Sequence, residues 1–199
     1  MKRTLAGLVM GFALAGAAWA EGASDPDWPC VQRKQPHLSV GQFWTGPLPD
    51  AATQDLARRP DIAALAKVLQ QRRLPMDAAE AEIAAFAQGA GAQDLTALFM
   101  AVFNGIDSYR SQIIGGIARY SRKQIDLSAQ IERRRAEMAS LTSAATPDFD
   151  KIDAAEASLD WDTRIFTDRQ QSLTSVCETP VLLEQRAFEL ARAIAAHLP

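Results

Sequence analysis

The chain has 199 residues, with 21 lysines and arginines against 24 aspartates and glutamates, and only two histidines and two cysteines. This length allows one modest domain, or one domain with an extension, and excludes a multidomain enzyme. The net charge of −3 argues against a general nucleic-acid binder, because such proteins need a basic face to neutralise phosphates. Two cysteines are too few for a four-thiolate zinc site. We therefore expect no nucleic-acid partner, no metal and no cofactor.

Residues 1–20 have the pattern of a secretory signal peptide. They carry a Lys-Arg pair at positions 2 and 3, continue with an apolar stretch, and end in the small-x-small cleavage pattern Ala18-Trp19-Ala20. A retained membrane anchor is the alternative, but the apolar stretch is short for a spanning helix. We predict that the segment is cleaved and that the product is a soluble periplasmic protein without a stable membrane span.

The predicted export changes the interpretation of the two cysteines, Cys30 and Cys177. In an oxidising compartment, a chain with two cysteines is expected to join them in a disulfide. The bond would enclose 146 residues, and closing such a loop contributes roughly 4–5 kcal/mol on the chain-entropy model. Two independent buried thiols are the alternative, since a free cysteine also behaves as a small apolar residue.

Residues 21–50 differ in composition from the rest of the chain. They contain half of the ten prolines, together with Trp28, Phe43 and Trp44. Because proline removes backbone donors and biases its predecessor toward extended conformations, we predict an extended, Pro-rich N-terminal strap lying across a helical body. Around Cys30 two interpretations are open: Trp28 is part of a clasp at the disulfide, or it belongs to an exposed docking segment.

From residue 51 onward, apolar residues recur at helical spacing, which predicts an all-α fold with a single helical domain over 51–199. Its base is expected to be a small helical bundle. The pattern predicts one helix over 60–73, a shorter one over 77–88, and a last helix that opens at Thr179-Pro180. Nothing in this part of the sequence alternates as a strand does.

The two longest periodic stretches predict an antiparallel, coiled-coil-like helical hairpin with arms at about 106–142 and 148–177. The apolar positions match when the numbers of paired residues sum to about 290. Residues 106–142 carry seven basic and four acidic side chains, whereas 148–178 carry three and eight. This register predicts three ion pairs between the arms: Asp126 with Arg164, Arg122 with Asp168, and Arg134 with Glu156.

The sequence contains no recognisable catalytic motif, neither a zinc-protease His pair nor a nucleophile elbow nor a phosphate-binding loop. We therefore expect a non-catalytic protein that binds an envelope protein partner, as an adaptor, assembly factor or accessory subunit. The alternative is a small-ligand or metal carrier with its site between the base helices. The candidate partner-contact residues lie at the hairpin tip and in the strap: Leu141, Thr146, Pro147, Phe149 and Trp28.

Overall fold

The computed structural model describes residue 25 and residues 27–199, so the predicted signal peptide lies outside the described residues. Within this part of the chain there are helices and no strand, as predicted. In chain order the elements are a 3-10 turn at Val40–Gln42, α1 Ala51–Leu56, α2 Pro60–Leu69, α3 Met76–Ala87, α4 Ala92–Thr142 and α5 Phe149–Ala195. No helix of the described residues combines the length and the apolar character needed to cross a membrane.

The hydrophobic core lies at one end of the two long helices. Among the described residues, its buried members all fall within 38–106 and 183–194. The indole of Trp44 stacks on the ring of Phe99 with centroids 4.3 Å apart, and Phe103 packs on Phe99 at 5.6 Å. We call residues 38–106 and 183–198 the base, because α1 and α2 pack on α4 there and α3 packs on α5.

Short-range polar contacts set the ends of the base helices. The Asp50 carboxylate caps α1 by accepting a hydrogen bond from the backbone N–H of Thr53 at 2.8 Å. Pro60 occupies the first turn of α2, where its missing N–H costs no helical hydrogen bond. At the other end of α2, the buried guanidinium of Arg186 donates two hydrogen bonds to the carbonyl of Leu69, at 2.9 and 3.2 Å.

Beyond the base, α4 and α5 continue as an antiparallel pair that we call the hairpin, residues 114–177. From Ile114 to Thr142 it reaches about 42 Å at about 1.5 Å per residue. The Gln124 amide donates to the carbonyl of Phe166 at 3.1 Å, and these two numbers sum to 290. The Tyr120 hydroxyl donates to the carbonyl of Arg169 at 3.4 Å, at a sum of 289. These contacts confirm the predicted register.

The predicted ion pairs between the arms were wrong. Arg134 pairs with Asp162, at 2.8 Å, rather than with Glu156. Arg122 pairs with Asp27 of the N-terminal segment instead of Asp168, and the predicted pair of Asp126 with Arg164 does not form in the described chain. Exposed ion pairs are worth about 0–1 kcal/mol each, so backbone register alone does not select the partner of a long side chain.

The prediction of a separate last helix was also wrong, because α5 runs through Pro180 without a break. Proline removes one helical hydrogen bond at this turn. Side chains from outside α5 donate hydrogen bonds to backbone carbonyls of the same turn. Arg110 donates to the carbonyl of Pro180 at 3.3 Å, and the Gln32 amide donates to that of Cys177. Downstream side chains such as Leu190 are fully buried in the core, which stabilises the continued helix.

Candidate interaction surfaces

Asp25 and residues 27–34 of the N-terminal segment are closed on themselves by polar contacts. The Lys34 ammonium contacts the Asp25 carboxylate at 2.5 Å, and the Trp28 indole N–H donates to the carbonyl of Gln32 at 2.6 Å. The hydrogen bond from Lys34, and after it one from the backbone N–H of Asp27, holds the pKa of Asp25 below its usual value. We call this segment the clasp loop.

The clasp loop is attached to both arms of the hairpin near the base. The sulfur atoms of Cys30 and Cys177 lie 2.00 Å apart, at disulfide-bonding distance, with their Cα atoms 5.6 Å apart. Gln32 adds a hydrogen bond to the carbonyl of Cys177, and Asp27 forms the ion pair with Arg122 of α4. The loop therefore spans the two helices where the hairpin leaves the base.

Arg110 is the second anchor of the N-terminal segment. Its side chain is buried, and its guanidinium donates to the carbonyl of Gln35 as well as to that of Pro180. The Glu184 carboxylate accepts from it at 3.3 Å and supplies a counter-charge. One α4 side chain thus ties α5 and the N-terminal segment together, a role that the sequence analysis missed because the contact spans about seventy residues.

His37, Asp107 and Ser111 come together beside this anchor. Asp107 lies 2.9 Å from Nδ1 of His37 and also accepts the backbone N–H of Leu38 at 2.7 Å. The Ser111 hydroxyl lies 3.2 Å from the same Nδ1 atom. In a serine-nucleophile triad the serine faces Nε2 while the carboxylate holds Nδ1. Here both contact one nitrogen, so the arrangement orients the segment and does not match a nucleophile and its base.

A groove follows the outer face of α5 from the clasp loop to the end of the base. It consists of three adjoining open clefts of about 550, 580 and 430 Å³. Val181 lines the first two clefts, and Phe188 lines the second and third. Val181 and Phe188 are seven residues apart, a spacing that places them on one face of a helix. This spacing indicates a second apolar face of α5, which was not among the sequence-based predictions.

The predicted contact residues fall on two separate surfaces. At the hairpin tip the Phe149 side chain is 73% exposed, Leu141 is half-buried, and Thr146 and Pro147 are exposed. The clasp loop, which carries the half-buried Trp28, is attached at Cys177. That anchor and Phe149 lie about 42 Å apart along α5 at about 1.5 Å per residue. The tip and the clasp loop therefore present different surfaces.

Charged groups in the base serve local structure. Two hydrogen bonds from the Arg59 guanidinium, at 2.7 and 3.0 Å, hold the pKa of Asp61 below its usual value. Burial lowers the pKa of Arg186, the cap of α2. Among the described residues no group of three or more His, Cys, Asp and Glu side chains is placed to hold a metal ion.

No protein-family model matches the chain, and no curated protein or solved structure does either.

Proposed function

We propose that this chain is an exported, non-catalytic interaction protein of the periplasm or cell envelope, acting as an adaptor, assembly factor or accessory subunit. The observation that carries the proposal is the hairpin. The core that closes the base lies within 38–106 and 183–194, so the base does not need the distal part of either long helix. A projection of about 42 Å with an apolar side chain at its end is suited to reaching another protein.

Export is supported by two observations of different kinds. Residues 1–20 have the pattern of a cleavable signal, and the cysteines lie at disulfide-bonding distance. In this proposal residues 21–50 act as the strap, with the clasp loop holding the arms together where they leave the base. A stable junction gives the projecting hairpin a defined direction.

The tip is the proposed contact surface. Phe149 is the most exposed aromatic residue of the described chain, and Thr146 and Pro147 precede it in the exposed turn. Aromatic residues are enriched at the centres of protein interfaces, and polar residues surround them. The start of α5 is capped within the chain: the Asp148 carboxylate accepts a hydrogen bond from the backbone N–H of Lys151 at 3.3 Å.

A photo-cross-linking residue at Thr146, in cells that express the protein, tests the proposal. We expect an adduct with an envelope protein, whereas the same residue at Glu82, on the exposed face of α3, should give none. Adding Ala144→Glu and Ala145→Arg should abolish the adduct while leaving helicity and the melting temperature unchanged, since both positions are exposed. An adduct that forms only at Trp28 would instead place the interface at the clasp loop.

A small-ligand carrier remains the second candidate because of the groove beside the disulfide. Its first cleft measures about 550 Å³ and has Leu173 and Val181 among its lining residues, a size and character that suit a small apolar molecule. Native mass spectrometry of the purified protein separates the candidates. A carrier should show a bound small-molecule mass that is lost on substituting Val181→Glu, and an interaction protein should show no such added mass.

A further inference from the structure

The outer face of α5 along the base carries polar groups in a regular order. Glu178, Gln185 and Arg192 are spaced by seven residues, so they lie along one line of the helix. All three are exposed, whereas Leu183 and Leu190, on the opposite face, are buried in the core. The line therefore points away from the base, with a carboxylate at one end, an amide in the middle and a guanidinium at the other end.

Apolar side chains lie between these polar groups. Val181 is 38% exposed and Phe188 is 44% exposed, and these two residues connect the three clefts of the groove. Neither belongs to the buried core of the chain. Exposed apolar groups that are rimmed by polar residues are typical of a protein contact site. The outer face of α5 thus has an apolar centre with one charge of each sign beyond it.

The two charges are available to a partner. Among the described residues, neither Glu178 nor Arg192 forms an ion pair. The Arg192 guanidinium lies over the ring of Phe188, 5.8 Å from its centroid, and Glu178 lines the first cleft. Each charge is seven residues from Gln185, which is about 10 Å at about 1.5 Å per residue. A second copy of this helix, running in the opposite direction, therefore offers each charge its complement.

We propose that two copies of this chain form a dimer in which the outer faces of their α5 helices pack against each other in antiparallel orientation. The two-fold axis lies in the interface between the helices, is perpendicular to both, and passes beside Gln185 of each copy. Residues then face each other when their numbers sum to about 370. Glu178 lies opposite Arg192 of the second copy, and Val181 packs on its Phe188. The axis repeats both contacts, because an isologous interface uses the same surface of each copy.

The charges select the antiparallel orientation. If the same faces packed in parallel, Glu178 would lie against Glu178 and Arg192 against Arg192, and like charges facing each other disfavour an interface. The antiparallel pair directs the two hairpins away from each other, so their tips lie at opposite ends of the dimer. The pairing does not rest on the proposed tip contact, because Phe149 lies at the far end of the hairpin from this face.

Sedimentation equilibrium of the purified, disulfide-intact protein is the first test. We expect a dimer, and Phe188→Ser should raise its dissociation constant at least about tenfold, as for a central aromatic residue of an interface. Trp161→Ser is the matched control and should leave the constant unchanged, because Trp161 is an aromatic residue of α5 that is 62% exposed but belongs to the hairpin. A parent protein that stays monomeric, whether free or with a small molecule or another protein in the groove, overturns the proposal. An equal response to the two substitutions overturns it as well.

Introduced cysteines test the orientation of the two helices. Gln185 lies at the axis, so Gln185→Cys should form a disulfide between the two copies under mild oxidation, and peptide mapping identifies the bond. Ala196→Cys is exposed on the same face but lies eleven residues from the axis. It should form no such bond, because the two copies of this position are about 33 Å apart. A bond at position 196, as in a parallel pair, or the absence of one at position 185 contradicts the proposed dimer.

Charge exchange tests the two outer contacts. Glu178→Arg and Arg192→Glu should each raise the dissociation constant, because each places like charges opposite one another at two places. The double variant should recover most of the parent affinity, since its facing charges are exchanged but again opposite. Both positions are exposed, so circular dichroism should show unchanged helicity in all three variants. A double variant that dimerises no more tightly than the single variants shows that Glu178 does not face Arg192 of a second copy.

Discussion

The base and the hairpin are built from the same two helices, yet their interiors differ in chemistry. In the base, Phe99 is 1% exposed and lies between two other aromatic rings. In the hairpin beyond Ala118, the buried residues of the described chain are Ser121, Gln124, Ile131 and Asp162. In the base, α1 to α3 and the N-terminal segment cover faces of α4 and α5 that stay open in the hairpin. The comparison shows that the number of packed layers, and not helix formation, decides where a core forms.

The largest difference should appear when an aromatic ring is removed from each region. Phe99→Ala should lower the free energy of unfolding by about 3–5 kcal/mol, because it leaves a cavity among packed rings. Phe149→Ala should change it by less than about 0.5 kcal/mol, because the side chain is already in water. Urea denaturation of both variants measures the two values. Similar losses would show that the hairpin is as tightly packed as the base.

Removing the disulfide between Cys30 and Cys177 tests how the base and the hairpin are joined. Cys177→Ser should lower the free energy of unfolding by roughly 2–5 kcal/mol, because the bond closes a long loop in the unfolded chain. Cys30→Ser and the double variant should lose the same amount, since each removes the same bond. Thermal unfolding with and without reductant measures this loss. Two free thiols in native, unreduced protein would rule out the bond.

A smaller effect is expected inside the hairpin itself. The Oε1 atom of Gln124 is the single buried side-chain oxygen or nitrogen without a hydrogen-bond partner in the described part of the chain. Because a buried unpaired polar group is destabilising, Gln124→Leu should raise the free energy of unfolding by about 1 kcal/mol. Ser128→Leu, on the same helix but less buried, is the control and should give a smaller gain. A loss at Gln124 would mean that its hydrogen bond to Phe166 outweighs the unpaired atom.

The contacts of the hairpin show how far the sequence predicts this fold. Its register was predicted correctly because the apolar seam repeats over many turns, and a shift would expose all of it. The ion pairs were predicted incorrectly because an arginine side chain is long enough to leave its opposite register position, as Arg122 does for Asp27 and Arg134 for Asp162. Among the candidate contact residues, the location of Leu141, Thr146, Pro147 and Phe149 at the hairpin tip followed from the predicted turn. The exposure of Trp161 could not be predicted, because helical spacing alone does not say which face of α5 is covered.

The sequence by itself determined the helical content and the two long antiparallel arms, since these follow from local periodicity and proline content. Only the tertiary structure decided that α5 continues through Pro180, that Arg110 anchors the N-terminal segment, and that the clasp loop crosses both arms. The reason is that these features depend on groups far apart in the chain. A proline favours the end of a helix locally, but the burial of the residues beyond it stabilises the continued helix.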